Sequence, residues 1–317
     1  MVDVVSFGSI NVDRTSYLDA EKIANFEEKY DWFPQAGATV EIPSPPDEIL
    51  ELTFENFLGG KAANQAVAAA RAEGTTKLLG KVGHDAGEYA VKETLRQRGV
   101  RVDQIEPSRE PTGKAYIFVN ETGESHIGLV PGANDDVNEI YVDDHFDSVL
   151  NATCLLLQNE IPTETTEYLL SKLEKHPNDR PTVILDPSPI HGAERLLDHD
   201  VVDIVSPNDF EFTSLSDYFS NIQTIIHRQG PDDVIVTTQD EQFRVTPPTV
   251  DAIDATGAGD VFNGYLGASL ATGADIRDAI ELATYAASIS TEIAGAQQSI
   301  PTLDEVTSAH SRFEDQD

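Results

Sequence analysis

The chain is predicted to fold as a three-layer α/β/α domain carrying a small β-sheet lid. Three observations point there. Short β-rich runs at 4–8, 77–82, 115–120, 153–157, 182–186, 204–206 and 234–237 read as strands, several of them almost wholly apolar. Such continuous runs suit parallel strands buried on both faces. Helical patterns at 62–72, 87–98, 163–175, 217–228, 261–270 and 277–293 lie between them, and strand–helix alternation implies a parallel sheet flanked by helices. The third observation is a break in that rhythm. Residues 11–57 are long, polar and punctuated by Pro34, Pro43, Pro45 and Pro46, and 111–130 holds two more extended runs around a turn at 121–124.

The first run, Val4 to Gly8, fits an opening buried strand. It lacks the basic and long apolar regions of a secretory signal, and no run of about 18 apolar residues suggests a membrane span. Lid strands are expected within about 11–58 and 111–130, with a partly helical insert at 18–37. The charged end, 311–317, is expected to fray. The whole of 1–317 reads as one domain.

Charge is the second strong feature. Asp and Glu number 56 against 21 Lys and Arg, a formal net charge of −35 spread along the whole chain. A dispersed acidic surface repels nucleic acid and anionic membranes. Self-repulsion of that size is screened at about 1 M salt, where the Debye length is about 3 Å. A salt-loving cytoplasm, such as a haloarchaeal one, is therefore expected. One cysteine, Cys154, excludes an intramolecular disulfide and suits a reducing compartment.

The most informative segment is Asp254-Ala255-Thr256-Gly257-Ala258-Gly259-Asp260, directly before the apolar helix at 261–270. A glycine-rich turn entering a helix directs free N–H groups outward, and the helix dipole adds positive potential, so the turn suits a phosphate. A carboxylate beside a bound phosphoryl group can take a proton from a substrate hydroxyl. Glycine turns also serve packing alone, and an aspartate there is also a common cap. Gly59-Gly60-Lys61-Ala62-Ala63-Asn64 enters an alanine-rich helix, and Lys61 and Asn64 can donate to hydroxyl oxygens. No Gly-x-Gly-x-x-Gly follows the first strand, which disfavours a dinucleotide dehydrogenase.

Gly8-Ser9-Ile10-Asn11-Val12-Asp13, the 59–64 segment, Pro207-Asn208-Asp209-Phe210-Glu211, and 254–260 followed by Phe262-Asn263-Gly264 occur in an order that resembles the ribokinase, or PfkB, family of carbohydrate kinases. The resemblance runs from about Val4 to about Pro301 and implies a ribokinase-like fold. It implies that Asp260 is the base and that Gly257, Ala258 and Gly259 form the anion hole. Asn11, Asp13, Gly60, Lys61, Asn64 and Glu160 would hold sugar hydroxyls. Asn208 and Glu211 would act through water on Mg²⁺ and the phosphates of ATP, with Thr237 at the nucleotide. A monovalent cation, K⁺, would be held by Asp254 and Ser299 side chains and by carbonyls of Thr256, Ser290, Ile293 and Gly295.

The implied reaction is ATP-dependent phosphorylation of D-ribose at O5, in a homodimer joined through the lid. Alternatives are a kinase for a nucleoside, ribose 1-phosphate or another sugar, and a non-catalytic sugar-binding regulator. Three features depart from the family. Ala62 replaces a glycine. The segment 237–242, matched to the family's Thr-x-Gly-x-x-Gly loop, lacks both glycines. The stretch 18–37 is inserted and brings Tyr30, Trp32 and Phe33.

Overall fold

The computed structural model describes residues 3–36, 39–121 and 124–314, with side chains through Ala309. Gly37 of the insert, Thr122 and Gly123 of the expected turn, and 315–317 lie outside the described residues. The strands are β1 (Val4–Phe7), β2 (Asn11–Tyr17), β3 (Thr39–Glu41), β4 (Glu55–Gly59), β5 (Thr76–Val82), β6 (Ile105–Pro107), β7 (Gly113–Val119), β8 (Ser125–Val130), β9 (Cys154–Leu157), β10 (Thr182–Leu185), β11 (Ile204–Val205), β12 (Thr224–His227), β13 (Val234–Thr238) and β14 (Gln242–Val245). The helices are α1 (Ala20–Lys29), α2 (Asp47–Leu50), α3 (Lys61–Arg71), α4 (Val91–Gln97), α5 (Glu139–Leu150), α6 (Thr163–Leu173), α7 (Ala193–Leu197), α8 (Asp209–Leu215), α9 (Ala258–Ala271), α10 (Ile276–Ser290) and α11 (Leu303–Glu314).

Nine strands form the main sheet in the order β14-β13-β12-β11-β10-β9-β1-β5-β6. From β12 through β6 every pairing is parallel. Strand side chains alternate between faces, so the central strands feed two cores. Val4, Cys154 and Leu156 join α3, α9 and α10 on one side. Val5, Leu155 and Leu157 join α5, α6 and α7 on the other. Both faces of β9 are sealed, and truncating Leu155 to Ala would cost about 2–5 kcal/mol.

The sheet differs from expectation at its β14 edge. The stretch 217–228 is not a helix. A 3-10 segment, Ser216–Asn221, ends at Ile222, and Thr224–His227 then pairs with β11 as β12. The β-branched Thr224, Ile225 and Ile226 favour the strand. The following strands, β13 and β14, run antiparallel, because a short turn at 228–233 cannot make the long crossover a parallel neighbour needs. The helix expected at 87–98 starts only at Val91, behind Ala90 at φ 49°. Helix α5 was not expected; Asn138 caps it by accepting from the Tyr141 N–H. Helix α11 runs to Glu314 through part of the segment expected to fray.

A second sheet has the order β3-β8-β7-β2-β4. Strand alternation puts Asn11 and Asp13 of β2 on its face toward the main sheet's ligand end. Tyr116 and Phe118 of β7 point the other way, where Ile23 and Phe26 of α1, Phe33 and Ile49 cover them in a separate core. Phe26 and Phe33 stack obliquely, 5.6 Å between ring centres, and Phe33 lies 5.1 Å from Phe118. The inserted aromatics thus fill the back of this sheet. Among the described residues no helix is long and apolar enough to cross a membrane.

Candidate active site

Glu160, Asp186, Glu211 and Arg228 follow the carboxyl ends of the parallel strands β9, β10, β11 and β12, where open α/β sheets bind ligands. Opposite them begins α9. Its first turn is set by Gly257 at φ 80°, a left-handed conformation in which a β-carbon would also come within 3.0 Å of the Ala296 β-carbon. Asp260 lies in that first turn and is buried. Its Oδ2 accepts from the Asn64 amide at 2.9 Å and its Oδ1 from the Gln65 amide at 3.1 Å. Asn64 in turn accepts from Gln297 at 2.9 Å, Arg98 donates to Gln297, and Gln158 donates to Gln65 at 2.6 Å. Asn64 therefore orients Asp260 through one N–H of its amide, and the second N–H of that amide is not used in these bonds.

Burial raises the Asp260 carboxyl, Lys61 opposes that rise, and Asp186 and Glu160 add to it, leaving it at about 6. Near neutral pH it is mostly ionised yet basic enough to accept a proton. Burial alone would lower the Lys61 ammonium. The fields of Asp186, Asp260, Glu160 and Glu211 outweigh burial and hold it above its ordinary range.

The other wall is built from the 8–13 and 59–64 segments. Gly60, at φ 87°, brings the backbone so close that a β-carbon would lie 2.7 Å from the Asn11 nitrogen and 2.8 Å from the Ser9 oxygen. Glu160 accepts from the Lys61 N–H at 3.1 Å and the Ser9 hydroxyl at 2.5 Å. Asn134 donates to the Asn11 side chain at 2.7 Å while accepting from the Ile10 N–H. Asp13 has no hydrogen-bond partner among the described residues, although burial, Glu160 and Asp260 raise its carboxyl to about 7. A carboxylate placed against two others and left without donors is suited to hydroxyl groups of a ligand.

At the start of α8, Asn208 and Glu211 make a full capping box. The cap also buries Glu211 and aims it at the cluster, where burial and Asp186 raise its carboxyl against the pull of Arg228. Thr237 does not join. It pairs with Ile225 on antiparallel β13, near the amino end of β12, and its hydroxyl accepts from Gln242. The turn that does follow the last parallel strand is 228–233.

Ile253 and Asp254 both donate their N–H groups to the Thr291 carbonyl, which joins the loop before α9 to the strap after α10. Asp254 accepts from the N–H groups of Thr256 and Gly295, both at 2.9 Å, and against the effect of burial these hold its carboxyl low. Ser299 donates to the Ala296 carbonyl and Ser290 to that of Ala287. A fixed carboxylate in a carbonyl-rich strap fits a monovalent cation. Among the described residues no group of three His, Cys, Asp or Glu could hold a metal.

Sequence reasoning missed Asp186 and Arg228. Asp186 follows β10, is buried, accepts from Asn263 at 3.2 Å, and faces the Arg228 guanidinium at 4.0 Å. A carboxylate ending an apolar strand was the available signal. Gln65, Gln158 and Gln297, which set Asp260, were not among the candidate site residues either.

Residues 34–303 match the pfkB family carbohydrate kinase model. The ribokinase of Bacillus subtilis is 33% identical over 83% of this chain and 91% of its own length. That of Schizosaccharomyces pombe is 32% identical over 96% and 97%. The solved structure of Arabidopsis thaliana ribokinase complexed with ribose and ATP has a TM-score of 0.77 at 26% identity, covering 97% of this chain and 98% of that one. Matched along most of its length, and with a buried aspartate at the head of α9, the chain belongs to the pfkB family of carbohydrate kinases.

Proposed function

We propose that this phosphotransferase, whose acceptor is an alcohol group, transfers the γ-phosphoryl group of ATP to O5 of D-ribose. Asp260 carries the reading: a buried carboxylate, clamped by two amides, at the start of α9. The relatives named ribokinase, and the one complexed with ribose and ATP, support ribose and ATP as the substrates. Asp260 takes the hydroxyl proton as the sugar oxygen attacks phosphorus. The N–H groups of Gly257 and Gly259 receive charge on the transferring group, whereas that of Ala258 is held by the Ala255 carbonyl at 3.2 Å. Asp13, with Asn11 and the 60–61 backbone, orients the sugar, and fixed geometry supplies much of the rate.

Glu211 and Asp186 would hold Mg²⁺ through water, and bound Mg²⁺ neutralises phosphate charge. The 254–299 strap would hold K⁺. The second sheet acts as a lid that excludes water. Because its back face is already covered by α1 and Phe33, a homodimer through the lid would join edge strands such as β3 or β4.

The test is phosphoryl transfer from ATP in molar KCl with Mg²⁺, across ribose, deoxyribose, fructose, ribose 1-phosphate and nucleosides. Ribose is expected to give the highest kcat/KM and ribose 5-phosphate as product. A nucleoside or phosphorylated sugar preferred over ribose would overturn the assignment.

A further inference from the structure

Strand β12 delivers one more charged group to this end of the sheet. Arg228 directly follows its last residue. Its Nε and Nη2 both donate to the Ser206 carbonyl, at 3.0 and 2.7 Å. Nη2 also faces Glu211 at 3.9 Å and Asp186 at 4.0 Å, and the side chain is only 15% exposed. The remaining nitrogen, Nη1, has no hydrogen-bond partner among the described residues, and Arg228 has no atom that is sealed away unpaired. Nη1 therefore opens toward solvent. It points at the first turn of α9, where a β-carbon on Gly259 would lie 2.2 Å from it. Glycine at 259 makes room for the guanidinium beside the anion cradle.

The surroundings give that placement chemical meaning. Asp13, Glu160, Asp186, Glu211 and Asp260 converge here, while Lys61 and Arg228 are the cations drawn among them. A polyphosphate entering so acidic a cleft needs fixed positive charge facing it. Guanidinium is always charged, and its planar fork matches phosphate oxygens. Two of its nitrogens are tethered, so the third is aimed at little further entropic cost.

We propose, resting on the kinase reading above, that Arg228 is a catalytic residue whose Nη1 donates to the terminal phosphate of the nucleoside triphosphate at the start of α9. In the transfer the sugar oxygen bonds to Pγ, and the bond from Pγ to the bridging oxygen breaks. The bridging oxygen leaves with the nucleoside diphosphate, and the hydroxyl proton goes to Asp260. Arg228 stabilises the charge moving onto the phosphate oxygens.

The experiment compares wild type, Arg228→Gln and Arg228→Lys by calorimetric titration with ribose, AMP and a non-hydrolysable ATP analogue, alongside kcat. In Arg228→Gln, ribose and AMP affinities are expected within about threefold of wild type, the triphosphate analogue weaker by about tenfold or more, and kcat lower by about 10²–10³-fold. Arg228→Lys should recover part of the triphosphate affinity. Triphosphate affinity and kcat within about threefold of wild type in Arg228→Gln would overturn the proposal, as would equal losses for ribose, AMP and triphosphate. If wild type binds the analogue but phosphorylates no acceptor, the kinase reading fails and the selective loss of triphosphate affinity alone decides Arg228's phosphate contact. A wild type that binds no triphosphate overturns both.

Discussion

Replacing Asp13 by Asn is expected to raise thermal stability above neutral pH while weakening sugar binding. The folded chain holds the Asp13 carboxyl at about 7, through burial first and then Glu160 and Asp260. An unfolded aspartate ionises near 3.8. Stability from the neutral form is therefore complete below about pH 4 and is lost as pH rises through about 7. The whole difference corresponds to about 4 kcal/mol. Water reaching the cleft screens part of it, and about 1–2 kcal/mol is a realistic share. Asn is nearly isosteric and carries no charge, so the variant should melt about 2–4 °C higher at about pH 8 and about equally at about pH 4. Differential scanning calorimetry at both pH values measures this, and ribose titration measures the accompanying loss of affinity. A melting temperature at pH 8 that is unchanged or lowered would refute the electrostatic reasoning. An unchanged ribose affinity would remove Asp13 from the sugar site.

Asp260→Asn should lower kcat by about 10²–10⁴-fold with ribose binding retained, and near-normal turnover would exclude Asp260 as the base. In the unaltered enzyme kcat should rise with pH through about 6, the value at which Asp260 loses its proton; a flat profile from pH 5 to 8, with chemistry rate-limiting, would contradict that role. Lys61→Met removes the cation that opposes the rise of the Asp260 carboxyl, so the same pH profile should move to higher pH, and an unmoved profile would show that Lys61 does not act on the base. With a net charge of −35, the melting temperature should increase between about 0.1 and about 2 M KCl, and a constant or falling value would separate this acidity from salt adaptation.

The alternation of strands and helices was legible because the central strands are uninterrupted apolar runs: Cys154–Leu157 has no polar residue. The second sheet was legible from prolines and polar extended runs breaking that rhythm. The stretch 217–228 was not, since a short apolar run such as Ile225-Ile226 fits either a helix face or a strand. That misreading carried the nucleotide loop to Thr237, beyond the last parallel strand, and hid Arg228. Asn64 had a legible place but not a legible partner. Its amide is turned toward Asp260 by Gln297, a residue 233 positions away in sequence, and no local pattern encodes such a contact.

The amide clamp on Asp260 also constrains the proton's way out. Both carboxylate oxygens accept from carboxamide N–H groups, and behind these stand more carboxamides, Gln158 and Gln297. Carboxamides orient a carboxylate but do not take up its proton at neutral pH. Among the described residues this network ends at Arg98, which donates to Gln297, and holds no group that would take up a proton at neutral pH. In the proposed reaction, a proton taken by Asp260 would have to return by the open side of the carboxylate, toward the cleft, so resetting the base would be tied to the departure of product and the re-entry of water.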